Sequence, residues 1–276
     1  MIVTRFAPSP TGLLHLGHAF AAITAADAGE RFILRIEDID TARVREDFAS
    51  AILGDLSWLG LRWEEPVLRQ SSRFEAYSAA LAKLDAQSLL YPCFCSRADI
   101  AAASEAPHGP AGPLYPGACR HLSVEERGAR IASGAQYALR LDVEKAASKA
   151  GSLTFKEHGE TVAVDPLLFG DIVLARKDTP ASYHLAVVAD DAFQGVTLVT
   201  RGIDLLPAAH VQRLLQVLLD LPAPAYAHHR LILDDAGKKF SKRDHAMTLH
   251  NLRNHGVTAE QIREQLSLPE THPTLR

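Results

Sequence analysis

Residues 1–40 alternate short apolar runs with Gly and Pro punctuation. Ile2 to Phe6 predicts a strand, Pro8, Pro10 and Gly12 mark a loop, and the small-residue run from Ala19 to Ala28 predicts a helix. Phe32 to Ile36 predicts a second strand, which ends in Glu37, Asp38 and Asp40. Strand, loop, helix and strand in that order predict a parallel βαβ unit and an α/β fold. Helical spacing recurs at Val44, Phe48, Ile52 and Leu56, and again at Phe74, Tyr77, Leu81 and Leu84; both stripes read as core faces. Tyr137, Leu139 and Leu141 alternate like a half-buried strand, and the run from Ile172 to Ala175 predicts another. Leu185 to Ala189 and Val196 to Thr200 read as strands flanking Asp190, Asp191 and Gly195. Leu214, Leu215, Leu218 and Leu219 predict a helix ending before Pro222, and Thr258 with Gln261 predicts a capping box opening a short helix to Leu268.

From Pro92 to about His121 this patterning stops, and Pro, Gly, Ala and all three cysteines crowd together, as in a loop-rich insertion. Cys93 and Cys95 lie too close in sequence for an ordinary bridge, and an odd count of three argues against a disulfide framework. Thiolates in such an insertion suit a tetrahedral zinc that holds together a loop with too little core. Three buried or free thiols are the plainer alternative. At 276 residues, 47% hydrophobic and 22% charged, the chain fits one large α/β domain with a smaller insertion. No apolar run approaches the roughly 18 residues a membrane span needs, and Met1 to Phe6 carries no basic-then-apolar signal, so a cytoplasmic location is expected. A net charge of -4 offers no broad surface for nucleic acid, so any RNA contact is expected to be small.

Two stretches carry chemistry. The loop Ala7-Pro8-Ser9-Pro10-Thr11-Gly12 leads to His15-Leu16-Gly17-His18 at the opening of the first helix. Backbone N–H groups at a helix N-terminus favour an anion, and imidazoles three residues apart share one face and can donate to the same phosphate. Gly17 between them leaves room for a flat base or ribose. A surface histidine pair on an ordinary cap is the competing reading. Near the other end, Gly237 precedes Lys238-Lys239-Phe240-Ser241-Lys242-Arg243, four cations in six residues. Such a loop makes a clamp for a leaving pyrophosphate, and its plainer reading is a solvated basic turn. Together, at opposite ends of one α/β domain, the two stretches point to phosphate far more specifically than either does alone.

His15-Leu16-Gly17-His18 and Lys239-Phe240-Ser241-Lys242-Arg243 resemble the two signatures of the class I aminoacyl-tRNA synthetases, the second departing from its strictest form at Phe240 and Arg243. The resemblance implies an ATP site of His15, Gly17, His18, Lys239, Ser241 and Lys242. Arg5 to Gly12, Arg35-Ile36-Glu37-Asp38-Ile39-Asp40 and Arg201-Gly202-Ile203-Asp204 are similar to the glutamyl branch, and the likeness runs over nearly the whole chain. The 33 residues from Asp244 to Arg276 are too few for the helical anticodon-binding region of the full glutamyl-tRNA synthetases. The resemblance is therefore to the short glutamyl-Q tRNA(Asp) synthetase family, understood to load glutamate onto the queuosine of a tRNA anticodon. It implies a Rossmann-like catalytic domain over residues 1–243, including a zinc-binding insertion at 92–121. A short helical segment over 244–276 follows, with no anticodon-binding domain.

The resemblance also implies roles. Arg5, Ser9, Glu37, Tyr183 and Arg201 correspond to the glutamate-binding set, which suits a substrate with two carboxylates for guanidinium forks and one ammonium for an anion. Surface salt bridging is the plainer reading of those charges. His15, His18, Lys239 and Lys242, with Mg²⁺ accompanying ATP, would stabilise charge as the α-carboxylate attacks the α-phosphorus. Cys93, Cys95, Tyr115 and Cys119 would hold one structural Zn²⁺, with His121 a rival for the fourth position. ATP, L-glutamate and queuosine-bearing tRNA(Asp) are the implied partners of a monomer that uses no membrane. Three alternatives stand beside this reading. A truncated glutamyl-tRNA synthetase would charge a tRNA 3′ end. A nucleotidyltransferase or adenylate-forming ligase would share the histidine motif without needing Arg5, Glu37 and Arg201 together. A regulatory module would lack signature histidines or lysines.

Overall fold

The computed structural model describes residues 1–102, 108–109, 112–176, 179–233 and 248–268. The chain opens with β1 (Val3–Phe6), α1 (Leu16–Ala28), β2 (Arg31–Ile36), α2 (Glu46–Trp58) and β3 (Glu64–Arg69). Next come α3 (Phe74–Asp85), β4 (Leu90–Cys93), α4 (Arg97–Ala102), two short strands β5 (His108–Gly109) and β6 (Gly112–Pro113), and α5 (Val124–Ala132). They lead to β7 (Ala138–Leu141), α6 (Val143–Ala150), β8 (Thr154–Glu157), β9 (Glu160–Ala163), β10 (Val173–Arg176) and α7 (Tyr183–Phe193). The last elements are β11 (Leu198–Gly202), α8 (Leu206–Leu218), β12 (Ala225–His229), α9 (Leu249–Asn254) and α10 (Ala259–Gln265). They fall into two compact units: Met1–Ser72 with Val196–Asp204 and Ala227–Arg276, and Arg73–Gly195 with Leu205–Tyr226.

In the first unit the expected βαβ unit is present. β1 pairs in parallel with β2, Arg5 opposite Ile33, and β2 pairs in parallel with β3. This is the Rossmann-like arrangement, with α1 as the crossover helix against β1. Ala19, Ala22 and Ala25 are fully covered, so α1 lies close on the sheet, and Leu34, Ile36, Ile52 and Leu56 complete the core. Gly29 closes α1 where any Cβ would meet the Arg31 carbonyl at 2.8 Å. The tail joins this core through Leu249, Ile262 and Leu266, and the Thr258–Gln261 capping box forms as the sequence predicts. Its helix stops at Gln265, short of Leu268.

The second unit holds the antiparallel sheet β10–β7–β4, the hairpin β8–β9 and helices α3, α6, α7 and α8. The strand expected at Leu185 to Ala189 is wrong: these residues lie inside α7. Ser182 caps that helix by accepting the Leu185 N–H at 3.4 Å. α7 is packed against α3, α8 and β10, so Leu185 to Val188 are all buried and the helical period is hidden. Asp190, fully buried within α7, is satisfied by the Tyr77 hydroxyl at 2.7 Å and Arg73 Nε at 3.1 Å. The 92–121 stretch carries more structure than a bare loop, since α4, β5 and β6 lie in it. Among the described residues no helix is long and apolar enough to cross a membrane.

Candidate active site and metal centre

The turn into α1 is built by its own histidines. His15 is the buried N-cap residue, with extended backbone, and its Nδ1 accepts the Gly17 N–H at 3.1 Å. His18 answers three residues on: its Nδ1 accepts the His15 N–H at 3.2 Å. The rings sit 3.8 Å apart, centroid to centroid. An Nδ1 that accepts puts the proton of a neutral imidazole on Nε2, so both rings present Nε2–H as a donor. Gly17 has a role the sequence did not disclose. A Cβ there would stand 3.1 Å from His15 Cε1 and 3.2 Å from its Nδ1, so the space above Gly17 is taken by the His15 ring itself.

The unit that holds this turn also holds four of the five expected glutamate residues, Arg5, Ser9, Glu37 and Arg201. Arg5, buried on β1, donates from Nη1 to the Thr200 carbonyl on β11 at 3.3 Å. That carbonyl immediately precedes Arg201, itself buried, whose Nε donates to His228 Nε2 at 3.0 Å. His228 therefore accepts at Nε2, and as a neutral ring carries its proton on Nδ1. Glu37 donates its backbone N–H to the Pro8 carbonyl at 3.0 Å, which ties the Ser9 loop to the end of β2. Its carboxylate accepts from Arg35 Nη2 at 3.3 Å, and Arg35 is fully buried. Tyr183 lies in the second unit, as the first residue of α7 behind the Ser182 cap. Lys239, Ser241 and Lys242 lie outside the described residues. Thr248 bridges to His15, while the Leu249 N–H donates to the Leu14 carbonyl at 2.8 Å.

The cysteines converge in the second unit. The sulfurs of Cys93, Cys95 and Cys119 all lie within 4.8 Å of one another, and Cys95 Sγ is 3.6 Å from Cys119 Sγ. No disulfide joins them. Sulfurs bound at about 2.3 Å to one tetrahedral zinc stand roughly 3.8 Å apart, so the cluster has the dimensions of such a site. The Tyr115 hydroxyl lies 3.7 Å from Cys95 Sγ and accepts the Cys119 N–H at 2.7 Å, whereas His121 is exposed. Burial pushes the Cys95 thiol up to about 11, with the Tyr115 hydroxyl pulling it down. Burial also pushes Cys119 up, but hydrogen bonds from Tyr115, the Phe94 amide and the other thiols leave it below its usual value. Arg140 lies over the Tyr115 ring, 3.9 Å from its centroid, and donates from Nη1 to the Asp171 carbonyl at 2.6 Å. Arg120, next to Cys119, pairs with Asp171 at 3.3 Å and Glu144 at 2.9 Å.

A family model described as tRNA synthetases class I (E and Q), catalytic domain, matches residues 1–273. The chain belongs to that family. It is 48% identical to a glutamyl-Q tRNA(Asp) synthetase of Rhodobacter capsulatus, over 97% of this chain and 100% of the relative. A second such synthetase, from Symbiobacterium thermophilum, is 45% identical over 95% of this chain and 84% of its own length. A solved glutamate tRNA ligase from Elizabethkingia meningosepticum, in complex with its amino acid, superimposes with a TM-score of 0.71 at 28% identity, covering 88% of this chain. The chain spans about half of that ligase, 52% of its length.

Within this class I synthetase domain, three residues beside the site escaped the sequence reading. Arg35 had no role of its own beyond its place in the run Arg35 to Asp40; it is fully buried in the strand Arg31–Ile36 and donates to the Glu37 carboxylate, and a cation well inside an apolar strand was the available signal. His228 sits at a buried position of β12, whose burial alternates residue by residue. Thr248 gave no signal, because its importance comes from a bridge to a residue 233 positions earlier in the chain.

Proposed function

We propose that this class I synthetase domain activates L-glutamate with ATP and transfers it to the queuosine base in the anticodon of tRNA(Asp). A glutamate α-carboxylate oxygen attacks the α-phosphorus of ATP and the bond to pyrophosphate breaks, leaving glutamyl adenylate. A nucleophile of the queuosine base then attacks the acyl carbon and AMP leaves. His15 and His18 donate Nε2–H bonds to the phosphates, with Lys239 and Lys242 supplying positive charge toward the leaving pyrophosphate and Mg²⁺ arriving with ATP. Arg5 and Arg201 receive carboxylate, Glu37 receives the ammonium, and Ser9 and Tyr183 supply neutral hydrogen bonds.

The observation that carries this reading is the pair of buried guanidinium groups on neighbouring strands, Arg5 and Arg201, in the unit that holds the histidine turn. Two buried cations suit a substrate with two carboxylates, and a neutral amide would leave one of them poorly matched. The names of the two relatives, at 48% and 45% identity, support the transfer step. One structural zinc on Cys93, Cys95, Cys119 and Tyr115 belongs to the same proposal, supported by the sulfur spacing and the Tyr115 hydroxyl beside it.

Pyrophosphate exchange tests the activation step. Glutamate without tRNA should support exchange, with glutamine weaker by at least about a hundredfold in kcat/KM, because site groups built for a charged partner reject an analogue that leaves them unpaired. Equal exchange with both amino acids would give the arginines another job. Exchange that needs tRNA would overturn the tRNA-independent first step.

A further inference from the structure

In the second unit a cavity of about 400 Å³ opens where β7 and β10 pair, Ala138 opposite Arg176. Gln136, Tyr137, Leu139, Ala175 and Arg176 line it. Its floor is set by the end of α5, where the Gly134 N–H donates to the Ile131 carbonyl at 3.0 Å and the Ala135 N–H to the Arg130 carbonyl at 3.1 Å. With Gly134 at φ +80° this is a Schellman turn, which fixes the chain leading into Tyr137. Tyr137 keeps 38% of its surface exposed although its ring is packed against Phe94, centroids 5.8 Å apart. Arg130 in turn lies over Phe94 at 5.5 Å. The wall is thus a supported aromatic face flanked by two cations, Arg130 behind it and exposed Arg176 on the rim. Phe94 also packs on the cysteine cluster, whereas Gln136, Tyr137 and Arg176 have no part in the proposed adenylate formation or metal cluster.

A half-exposed ring packed against Phe94, an amide beside it and a guanidinium at the rim match one chemical class. A nucleobase stacks on such a ring, offers its polar edge to an amide and carries a phosphate for the arginine. An aliphatic ligand would use neither Gln136 nor Arg176. The whole chain has a net charge of -4, so cations gathered around an aromatic face are a local feature and not background. We propose that this cavity takes one unpaired base of the tRNA substrate, stacked on Tyr137, with a neighbouring phosphate held by Arg176. The proposal rests on the reading above that the chain acts on tRNA.

Steady-state transfer of glutamate to tRNA(Asp), set beside tRNA-independent pyrophosphate exchange, provides the test. Tyr137→Ala should raise the KM for tRNA about tenfold, the usual scale for losing one stacked base, while Tyr137→Phe keeps the ring and stays near the starting value. Arg176→Glu should raise the same KM and flatten its dependence on salt. The KM values for ATP and glutamate in the exchange reaction should not change. An unchanged tRNA KM in Tyr137→Ala overturns the proposal, and so does a raised ATP KM, which would put a free nucleotide in the cavity. Tyr137→Trp supplies a readout independent of transfer: its fluorescence should be quenched by a synthetic anticodon stem-loop of tRNA(Asp). A flat titration with that RNA would contradict the subsite. Absence of transfer by the unaltered enzyme, with quenching retained, would count against the functional reading alone.

Discussion

His15 and His18 each have their tautomer fixed by a backbone N–H of the turn they occupy, that of Gly17 for His15 and that of His15 for His18. The arrangement needs both rings and the missing side chain between them. Removing the His18 ring takes away the phosphate donor proposed above and the His18 Nδ1 acceptor of the His15 N–H, so His18→Ala is expected to abolish pyrophosphate exchange. Both histidines cap a helix and do not fill the core, so the fold should persist, with an unchanged far-UV spectrum. Gly17→Ala is the finer probe. Its Cβ, 3.1 Å from His15 Cε1, would push that ring by a few tenths of an ångström and should lower kcat for exchange about tenfold with little change in thermal stability. Wild-type exchange in Gly17→Ala would mean that the His15 ring position does not matter to the chemistry.

At the level of elements, α9 links the site to the rest of its unit. Thr248 bridges to His15 at the N-terminus of the helix, and Arg253 near its end reaches Asp55 of α2 at 3.6 Å and the Gly54 carbonyl at 3.3 Å. Asp55 is fully buried, and neither of its carboxylate oxygens accepts a hydrogen bond from a described residue. Burial pushes its carboxyl up to about 6, with Arg253 and His250 pulling the other way. Its unfolded value is near 4, so the stability that comes with the protonated form is fully present below about pH 4 and lost as pH rises through about 6. Asp55→Asn should therefore gain thermal stability over the parent at pH 8 relative to pH 5. An identical difference at both pH values would show that Asp55 does not titrate in this window. The cysteine loop gives a second test at this scale. Purified protein is expected to hold one zinc per chain, Tyr115→Phe to lose zinc to a chelator at least about tenfold more readily, and His121→Ala to behave like the parent. Metal loss in His121→Ala with none in Tyr115→Phe would reverse the ligand assignment.

For the molecule as a whole, the opening βαβ unit and the tail capping box were legible because each is written locally, in strand-length apolar runs, Gly/Pro loops and a Thr-x-x-Gln spacing. The α7 helix was not, because burial on several sides replaces a helical stripe with a continuous apolar run that looks like a buried strand. The histidine turn and the cysteines were visible by residue type, since short-range spacing carries them. His228 and Thr248 matter through partners fixed only by the fold, and no spacing announces such pairs. The net charge of -4 offers no broad surface for the phosphates of an RNA. The most direct test is to incubate enzyme, ATP and labelled glutamate with tRNA(Asp) carrying or lacking queuosine and to map the label by nuclease digestion. The account predicts label only on the queuosine-bearing tRNA, in its anticodon-loop fragment. Label at the 3′ end, or equal labelling of tRNA without queuosine, would contradict it and make the chain a shortened glutamyl-tRNA synthetase.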